Sequence, residues 1–180
     1  MQVFCVACRT RLGHFHFDAA AVALFKWQVL CEARSSGVPS IQDCLAAALT
    51  ATIARSGSST VLLLPTAEPR PDEDAAAAAG SLRGGVLHLW VLNSSIRYAS
   101  SGRDGVISAV KLLFRTTSSA DAERLLEKPT TDAQEMTLPA EAIVEIRRAL
   151  ADSCMLLPVK DRVYKEWQVA LLDRWAAGGR

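Results

Sequence analysis

The sequence predicts an α+β domain with a mixed or antiparallel sheet of about five to seven strands and two main amphipathic helices. Half of the 180 residues are hydrophobic and 22% are charged, which is enough apolar surface for one buried core. Apolar residues recur at a strand period in several segments and at a helix period in two others. Because these segments do not alternate as regular βαβ units, the pattern favours α+β over α/β.

The first predicted elements are a hairpin and a strand near the N-terminus. The segment after Cys8 is typical of a hairpin, and His14 and His16 alternate so that they share one face of a strand. Residues 22–31 are rich in β-branched and aromatic residues. They predict a further strand.

An amphipathic helix is predicted from Ile41 to near Gly57. Its apolar stripe steps by three and four residues. Ser40 is a suitable N-cap, and Gly57 is a suitable residue to end the helix. The stripe consists of Ile41, Cys44, Leu45, Ala48, Leu49, Thr52 and Ile53.

The remaining elements also have clear periods. They are strands at residues 61–64, 86–93 and 106–114 and a second main helix at 139–152. The polar stretch that includes residues 120–127 allows a short helix there. Residues 167–172 fit both a strand period and a helix period, and we favour a strand. The strands at 86–93 and 106–114 are apolar on both faces, so other elements must pack on both faces to shield them from water. We expect the two main helices to cover one face, and we expect the isolated chain to expose apolar surface on the other.

The segment at residues 66–85 predicts a flexible linker inside one domain that spans residues 1–180. It combines prolines, an acidic triplet at residues 72–74 and an alanine run at residues 75–79. Prolines and glycines flank the alanine run, so nothing propagates a helix there. We expect this linker to be dispensable and to be cut first by proteases.

Composition excludes several classes of partner. Twenty basic residues against nineteen acidic ones leave a net charge of +1, which gives no electrostatic reason to expect nucleic acid or a membrane surface. No window reaches the ~18 apolar residues of a membrane span. Five cysteines are too few for a disulfide scaffold and favour reduced thiols in the cytoplasm or nucleus.

The pair Cys5 and Cys8 has the spacing at which two thiolates reach one zinc ion. One such turn supplies half of a tetrahedral site. His14 and His16 could complete it, since they share a strand face. The alternative is that two thiols lie in a β-turn and that both histidines face solvent, and the sequence alone leaves both open.

The other cysteines offer few nucleophiles. Cys31 and Cys44 lie in apolar patterns and are expected to pack as core thiols. Cys154 follows a helix beside polar residues, so it is the most accessible of the three and a weak candidate for a catalytic residue. His88 lies in an apolar strand and is expected to be a hydrogen-bonded packing residue. No nucleotide-binding, serine-hydrolase or metalloprotease motif occurs, and no cofactor other than zinc is indicated.

Six sequence pieces, taken in order, resemble the C-terminal half of the HECT-like ubiquitin ligase family of ubiquitin-conjugating-enzyme-binding proteins, and the resemblance covers essentially the whole chain. The pieces are Cys5-x-x-Cys8 with Leu12-Gly13; Leu24-Phe25-Lys26-Trp27; Leu89-Trp90 running into Asn93 and Ile96-Arg97-Tyr98; residues 108–114; Leu138-Pro139; and Leu157-Pro158 followed by residues 167–172.

This resemblance implies a ubiquitin-protein ligase, or a fragment of one. Such a protein binds a ubiquitin-conjugating enzyme (E2) and ubiquitin, and it promotes transfer of ubiquitin to lysines of a protein substrate. It also implies a missing N-terminal region with cysteines of its own, and hence a fragment or a shortened relative. The alternative is a non-catalytic module that docks an E2 or a client protein. The resemblance supplies no motif that assigns a catalytic cysteine.

Overall fold

The computed structural model describes residues 1–30, 37–66, 85–128 and 131–175. These residues form a three-stranded sheet, a six-stranded mixed sheet and three helices, so the predicted α+β class is confirmed. Cys31 and nearly all of the predicted linker at residues 66–85 lie outside the described residues. None of the helices in the described ranges is long and apolar enough to cross a membrane.

The N-terminal sheet is antiparallel, in the order β1-β2-β3. It consists of β1 (Gln2–Phe4), β2 (Arg11–His16) and β3 (Ala21–Leu24). The strand expected at residues 22–31 ends at Leu24, so its second half was predicted wrongly. Phe25 and Gln28 are joined in a turn, in which Gln28 N donates to Phe25 O over 2.9 Å.

The six-stranded sheet has the order β7-β4-β5-β6-β9-β8. Strand β4 lies between an antiparallel neighbour, β5, and a parallel neighbour, β7. The other strand pairs are antiparallel. The strands are β4 (Thr60–Pro65), β5 (Val86–Ser100), β6 (Arg103–Thr117), β7 (Ala133–Leu138), β8 (Val163–Tyr164) and β9 (Trp167–Asp173).

The helices are α1 (Ile41–Ser56), α2 (Ser119–Glu127) and α3 (Ala140–Cys154), and a 3₁₀ turn spans Val159–Asp161. Helix α1 begins as predicted, because the Ser40 hydroxyl accepts from Asp43 N and the Asp43 carboxylate accepts from Ser40 N. It ends at Gly57, whose φ of 72° is favourable for glycine.

One face of the six-stranded sheet packs against α1 and α3 and forms the main core. Leu49, Leu89 and Ile146 are completely buried there. Trp27, from the turn after the N-terminal sheet, also packs against this core. The opposite face is covered only in part. Ala122 of α2 packs on Leu62 and Val86 at one end of that face.

Candidate functional sites: the cysteine turn and the aromatic face

Cys5 and Cys8 lie on the turn between β1 and β2, which we call the cysteine turn. Cys5 N donates to Thr10 O over 2.8 Å, and Arg9 N donates to Cys5 O over 3.0 Å. Arg9 completes the turn with a φ of 61°. The turn thus presents both thiols at one end of the small sheet, and the Cys8 thiol is exposed.

The Cys8 thiol has an unusually low pKa. Its Sγ lies 3.2 Å from Thr10 Oγ1. Hydrogen bonds from the Thr10 side chain and backbone, with a smaller one from Cys5, lower the pKa of Cys8 to about 7. A large fraction of this thiol is therefore thiolate at neutral pH, and thiolate is the form that binds metals and acts as a nucleophile.

His14 and His16 share a face of β2, as expected, and their rings are 4.4 Å apart. Burial lowers the pKa of His14, with smaller contributions from the neighbouring His16 and Arg11. His14 pairs with Gln2, whereas the cysteine turn closes beyond the other end of β2. At about 3.3 Å per residue, the strand separates His14 from Thr10 by roughly 13 Å.

The structure therefore does not bring the two histidines to the two cysteines. Among residues 1–30, 37–66, 85–128 and 131–175, no group of three or more potential ligands is close enough to hold a metal ion. Zinc binding by Cys5 and Cys8 stays a prediction, and its further ligands are not assigned.

The expected accessibility of Cys154 is wrong. Its side chain is buried, and Sγ faces the carbonyl oxygen of Arg162 at 3.6 Å. The chain after α3 folds back over it, held by the Arg162 guanidinium, which donates to the carbonyls of Met155 and Leu157. Cys44 is half-buried, and desolvation raises the pKa of its thiol. Both thiols are poorly placed for attack on a large substrate.

A second candidate site lies on the partly covered face of the six-stranded sheet. His88 of β5 pairs with Arg115 of β6. Trp167 of β9 precedes Gln168, which pairs with Phe114, and so lies beside Arg115. We call the exposed surface around Trp90, Arg115 and Trp167 the aromatic face.

The side chains of the aromatic face contact one another closely. The Trp167 ring lies 4.7 Å from that of His88 and 6.0 Å from that of Trp90, both in edge-to-face geometry. The Arg115 guanidinium lies 4.4 Å above the Trp167 ring and donates to Glu166 over 3.0 Å. Trp167 is therefore locked in place by ring contacts and a cation, and Trp90 stands beside it with 39% of its surface exposed.

His88 lies beneath this arrangement and is 4% exposed. Its packing role was expected, but among the described residues its Nδ1 has no hydrogen-bond partner. Burial, assisted by the nearby Arg115 charge, lowers the pKa of His88 to about 4. The ring is therefore neutral at physiological pH, and the charges at this site are those of the Arg115–Glu166 ion pair.

A groove lined by charged and polar residues continues from the aromatic face. It has a volume of about 590 Å³ and runs from Arg115 along α2 to Lys128. Arg124 also lines it, and one carboxylate, Asp121, lies at the capped start of α2 and accepts from Arg124 over 3.2 Å. Arg115 is ion-paired with Glu166 at 3.0 Å, and Glu123 and Glu127 lie exposed on the same helix, so the groove carries no excess of positive charge.

The sequence reasoning missed the aromatic face. Trp90 and Trp167 are 77 positions apart, and only the order of the strands brings them together. The available signal was Trp90 and His88 on alternate positions of an otherwise apolar strand, which marks a face different from that of Leu87 and Leu89.

A family model described as HECT-like Ubiquitin-conjugating enzyme (E2)-binding matches residues 1–169 of the chain. The match includes the cysteine turn, α2 and the first residues of β9, and therefore both candidate sites. No curated protein and no solved structure matches the chain.

Proposed function

Because the chain belongs to the HECT-like ubiquitin-conjugating enzyme (E2)-binding family, we propose that it binds an E2 loaded with ubiquitin and promotes ubiquitin transfer to lysines of a protein substrate. The observation that supports this proposal is the family match, which spans residues 1–169. A ubiquitin ligase needs a surface that holds the E2 while the transfer takes place. The aromatic face offers rigid, partly exposed aromatic groups of the kind that anchor protein partners.

In the first of two candidate mechanisms, the protein forms no thioester of its own. The substrate lysine amine attacks the carbonyl carbon of the E2–ubiquitin thioester, the E2 thiolate leaves, and the amine loses a proton as the isopeptide bond forms. The burial of Cys154 and the partial burial of Cys44 argue against a relay through either of these two thiols, because a relay thiol must reach a thioester held on another protein.

A second candidate mechanism is a thioester relay through Cys8. It is favoured by one observation, the exposure of this thiol together with its pKa of about 7. The Cys8 thiolate would attack the E2–ubiquitin thioester and release the E2 thiolate. A lysine amine would then attack the new thioester and release Cys8.

A non-reducing gel separates the two mechanisms. The full chain is mixed with a panel of E2 enzymes loaded with ubiquitin, and loss of the loaded E2 is followed in the presence of free lysine. Direct transfer predicts faster discharge without a reducible ubiquitin adduct on this protein. A relay predicts an adduct that Cys8→Ser abolishes and Cys154→Ser retains. If the chain neither binds nor discharges any loaded E2, the proposed function is wrong.

As the alternative to a relay through Cys8, we propose that Cys5 and Cys8 bind zinc through the cysteine turn, because a thiolate held by zinc is not free to attack a thioester. Metal analysis of reduced protein purified without a histidine tag tests this proposal. We expect zinc that is lost in Cys5→Ser and retained in the double variant His14→Ala/His16→Ala, because the strand separates the histidines from the turn. Less than about a tenth of an equivalent of zinc would contradict the proposal.

A further inference from the structure

We propose that Cys5 and Cys8 form a reversible disulfide with each other, which makes the cysteine turn a redox-sensitive modification site. The oxidant is a small-molecule disulfide such as oxidised glutathione. Because the bond consumes both thiols, the oxidised turn can neither hold zinc nor relay ubiquitin. This inference goes beyond the proposed function, since the bond forms in the absence of an E2 and under either mechanism of ubiquitin transfer.

The cysteine turn already holds the two residues at the separation that a disulfide requires. Arg9 N donates to Cys5 O over 3.0 Å, so the chain makes a single turn of helix that does not continue. In such a turn the Cα atoms of the first and fourth residues, here Cys5 and Cys8, lie about 5 Å apart. Disulfides allow a Cα separation of roughly 4.4–6.8 Å. The Cys5 thiol also lies within hydrogen-bonding distance of the Cys8 sulfur.

Strand pairing on both sides holds the cysteine turn in this shape. Phe4 of β1 pairs with Arg11 of β2, and Cys5 N donates to Thr10 O over 2.8 Å. The fold therefore keeps each thiol at a high effective concentration beside the other. The bond would close a loop of only four residues, Cys5 to Cys8, so it adds little stability. An exposed disulfide of this kind is easily reduced, which makes the modification reversible.

Accessibility sets the order of the two chemical steps. Cys8 is exposed and Cys5 is half-buried, so the Cys8 thiolate attacks oxidised glutathione first, forms a mixed disulfide and displaces one glutathione thiolate. The Cys5 thiolate then attacks the Cys8 sulfur and displaces the second glutathione thiolate, as the bond between Cys5 and Cys8 forms. The two protein thiols lose two electrons and two protons, and one oxidised glutathione becomes two molecules of reduced glutathione.

The other cysteines that the structure describes are less accessible to such an oxidant. Cys154 is buried, with its Sγ 3.6 Å from the carbonyl oxygen of Arg162. Cys44 is half-buried on α1. Sensor cysteines are typically exposed and lie beside a second cysteine that resolves the first oxidation product, and Cys8 meets both conditions. Oxidation of the folded protein should therefore begin at the cysteine turn.

Tryptic mass mapping of the full chain tests this proposal. Reduced protein, kept free of metal by a chelator, is incubated with oxidised glutathione, and its free thiols are blocked at intervals. Arg9 is the first basic residue, so trypsin releases residues 1–9 as one peptide that contains both Cys5 and Cys8. A bond between them lowers the mass of this peptide by two hydrogen atoms, whereas any other pairing links two peptides. The remaining cysteines, Cys31, Cys44 and Cys154, fall in three other peptides.

We expect the bond within residues 1–9 to form at least about tenfold faster than glutathione adds to Cys44 or Cys154, because both of those thiols are shielded. Excess reduced glutathione should reverse it. Cys5→Ser should stop at one glutathione on Cys8, because no second thiol is there to displace it. The matched control Cys154→Ser should behave as the wild type does.

Three results would overturn the proposal. If residues 1–9 of the wild type stay reduced while other cysteines react, the turn is not the reactive site. If a glutathione adduct persists on wild-type Cys8, Cys5 does not reach it. If Cys5 or Cys8 is linked to another peptide, the pairing is wrong. The wild-type map decides each of these even where a variant fails to fold, and no E2 is present in any sample.

Discussion

The two sheets of this protein use similar strand patterns but bury very different amounts of surface. Within residues 1–30, Gly13 is the one buried residue, whereas the six-stranded sheet and its helices contain nearly all of the buried hydrophobic side chains. The N-terminal sheet carries the exposed thiol of Cys8, and the larger sheet carries the supported aromatic face. The six-stranded sheet and its helices, which we call the larger unit, therefore provide most of the stability of the fold, while the small sheet depends on its attachment to that unit.

Two aromatic side chains attach the small sheet to the larger unit. Phe25 and Trp27 stack with their ring centroids 4.8 Å apart and their planes inclined by 10°. Trp27 reaches the main core, and Arg11 lies 5.4 Å from the Phe25 ring. Through this stack the small sheet, which has almost no buried side chains of its own, packs against the core of the larger unit.

The largest difference between the two units is expected from truncation of a core residue. Ile146→Ala creates a cavity at a fully buried position of α3 and should lower the free energy of unfolding by about 3–4 kcal/mol. The matched control Val22→Ala, at a position 50% exposed in β3, should change it by less than about 0.5 kcal/mol. Urea denaturation measures both. Equal effects would contradict the division between a stabilising unit and a dependent one.

The next largest effect concerns acid. The pKa of His88 is about 4 in the folded protein, below the ordinary value of 6.5, so the unfolded chain takes up its proton first as the pH falls. Stability should therefore fall between about pH 6.5 and pH 4, by about 2–3 kcal/mol from this residue. Comparison of His88→Phe with the wild type by urea denaturation at about pH 7.5 and about pH 4.5 isolates this part.

A contrasting variant comes from the small sheet. His14→Phe should leave most of the acid sensitivity in place, because His14 is only partly buried. If the acid sensitivity disappears with His14→Phe and persists with His88→Phe, it originates in the small sheet, and the prediction for His88 is wrong.

A smaller effect is expected when the attachment is removed. Trp27→Ala should lower the free energy of unfolding by about 1–2 kcal/mol, because this indole is only partly buried against the core. Hydrogen exchange at the paired amides of β2 and β3 should become much faster than in β5 and β6. Phe17→Ala serves as the control and should leave both rates unchanged. Faster exchange in β5 and β6 would show that the attachment also supports the larger sheet.

The smallest effect on overall stability is expected from Gly13→Ala. A Cβ at this position would overlap the backbone carbonyl of Ala23, so β2 and β3 could not keep their pairing. We expect the small sheet to lose its protection from hydrogen exchange, while the main unfolding transition shifts by less than about 0.5 kcal/mol. Gly102→Ala, on the turn between β5 and β6, is the control, because a Cβ there meets no atom within 4 Å. A large shift of the main transition would contradict the independence of the larger unit.

Local signals predicted the best-formed elements. Helix α1 was predicted at both ends, because Ser40 and Gly57 act through bonds within the same short segment. The strands at residues 86–93 and 106–114 were also predicted, and the structure extends them to Val86–Ser100 and Arg103–Thr117. None of their additional residues is buried, so the hydrophobic pattern gave no sign of them.

Long-range packing decided what the sequence could not predict. Phe25 and Trp27 look like strand residues, yet they stack on each other and Trp27 packs on the core of the other unit. Strand β7 has only a weak apolar pattern, and its strand conformation depends on parallel pairing with β4. The burial of Cys154 depends on the return of Arg162 over the end of α3, eight residues later.

The parallel pairing of β4 and β7 also affects how the chain folds while it is being synthesised. Thr60 pairs with Ala133, 73 positions later, so one edge of the largely apolar strand β4 has no partner until β7 has been synthesised. At 5–20 residues per second, the ribosome completes β7 about 4–15 s after β4. During that time the nascent chain presents an open strand edge to which neighbouring chains can pair, so this interval is one in which aggregation is favoured.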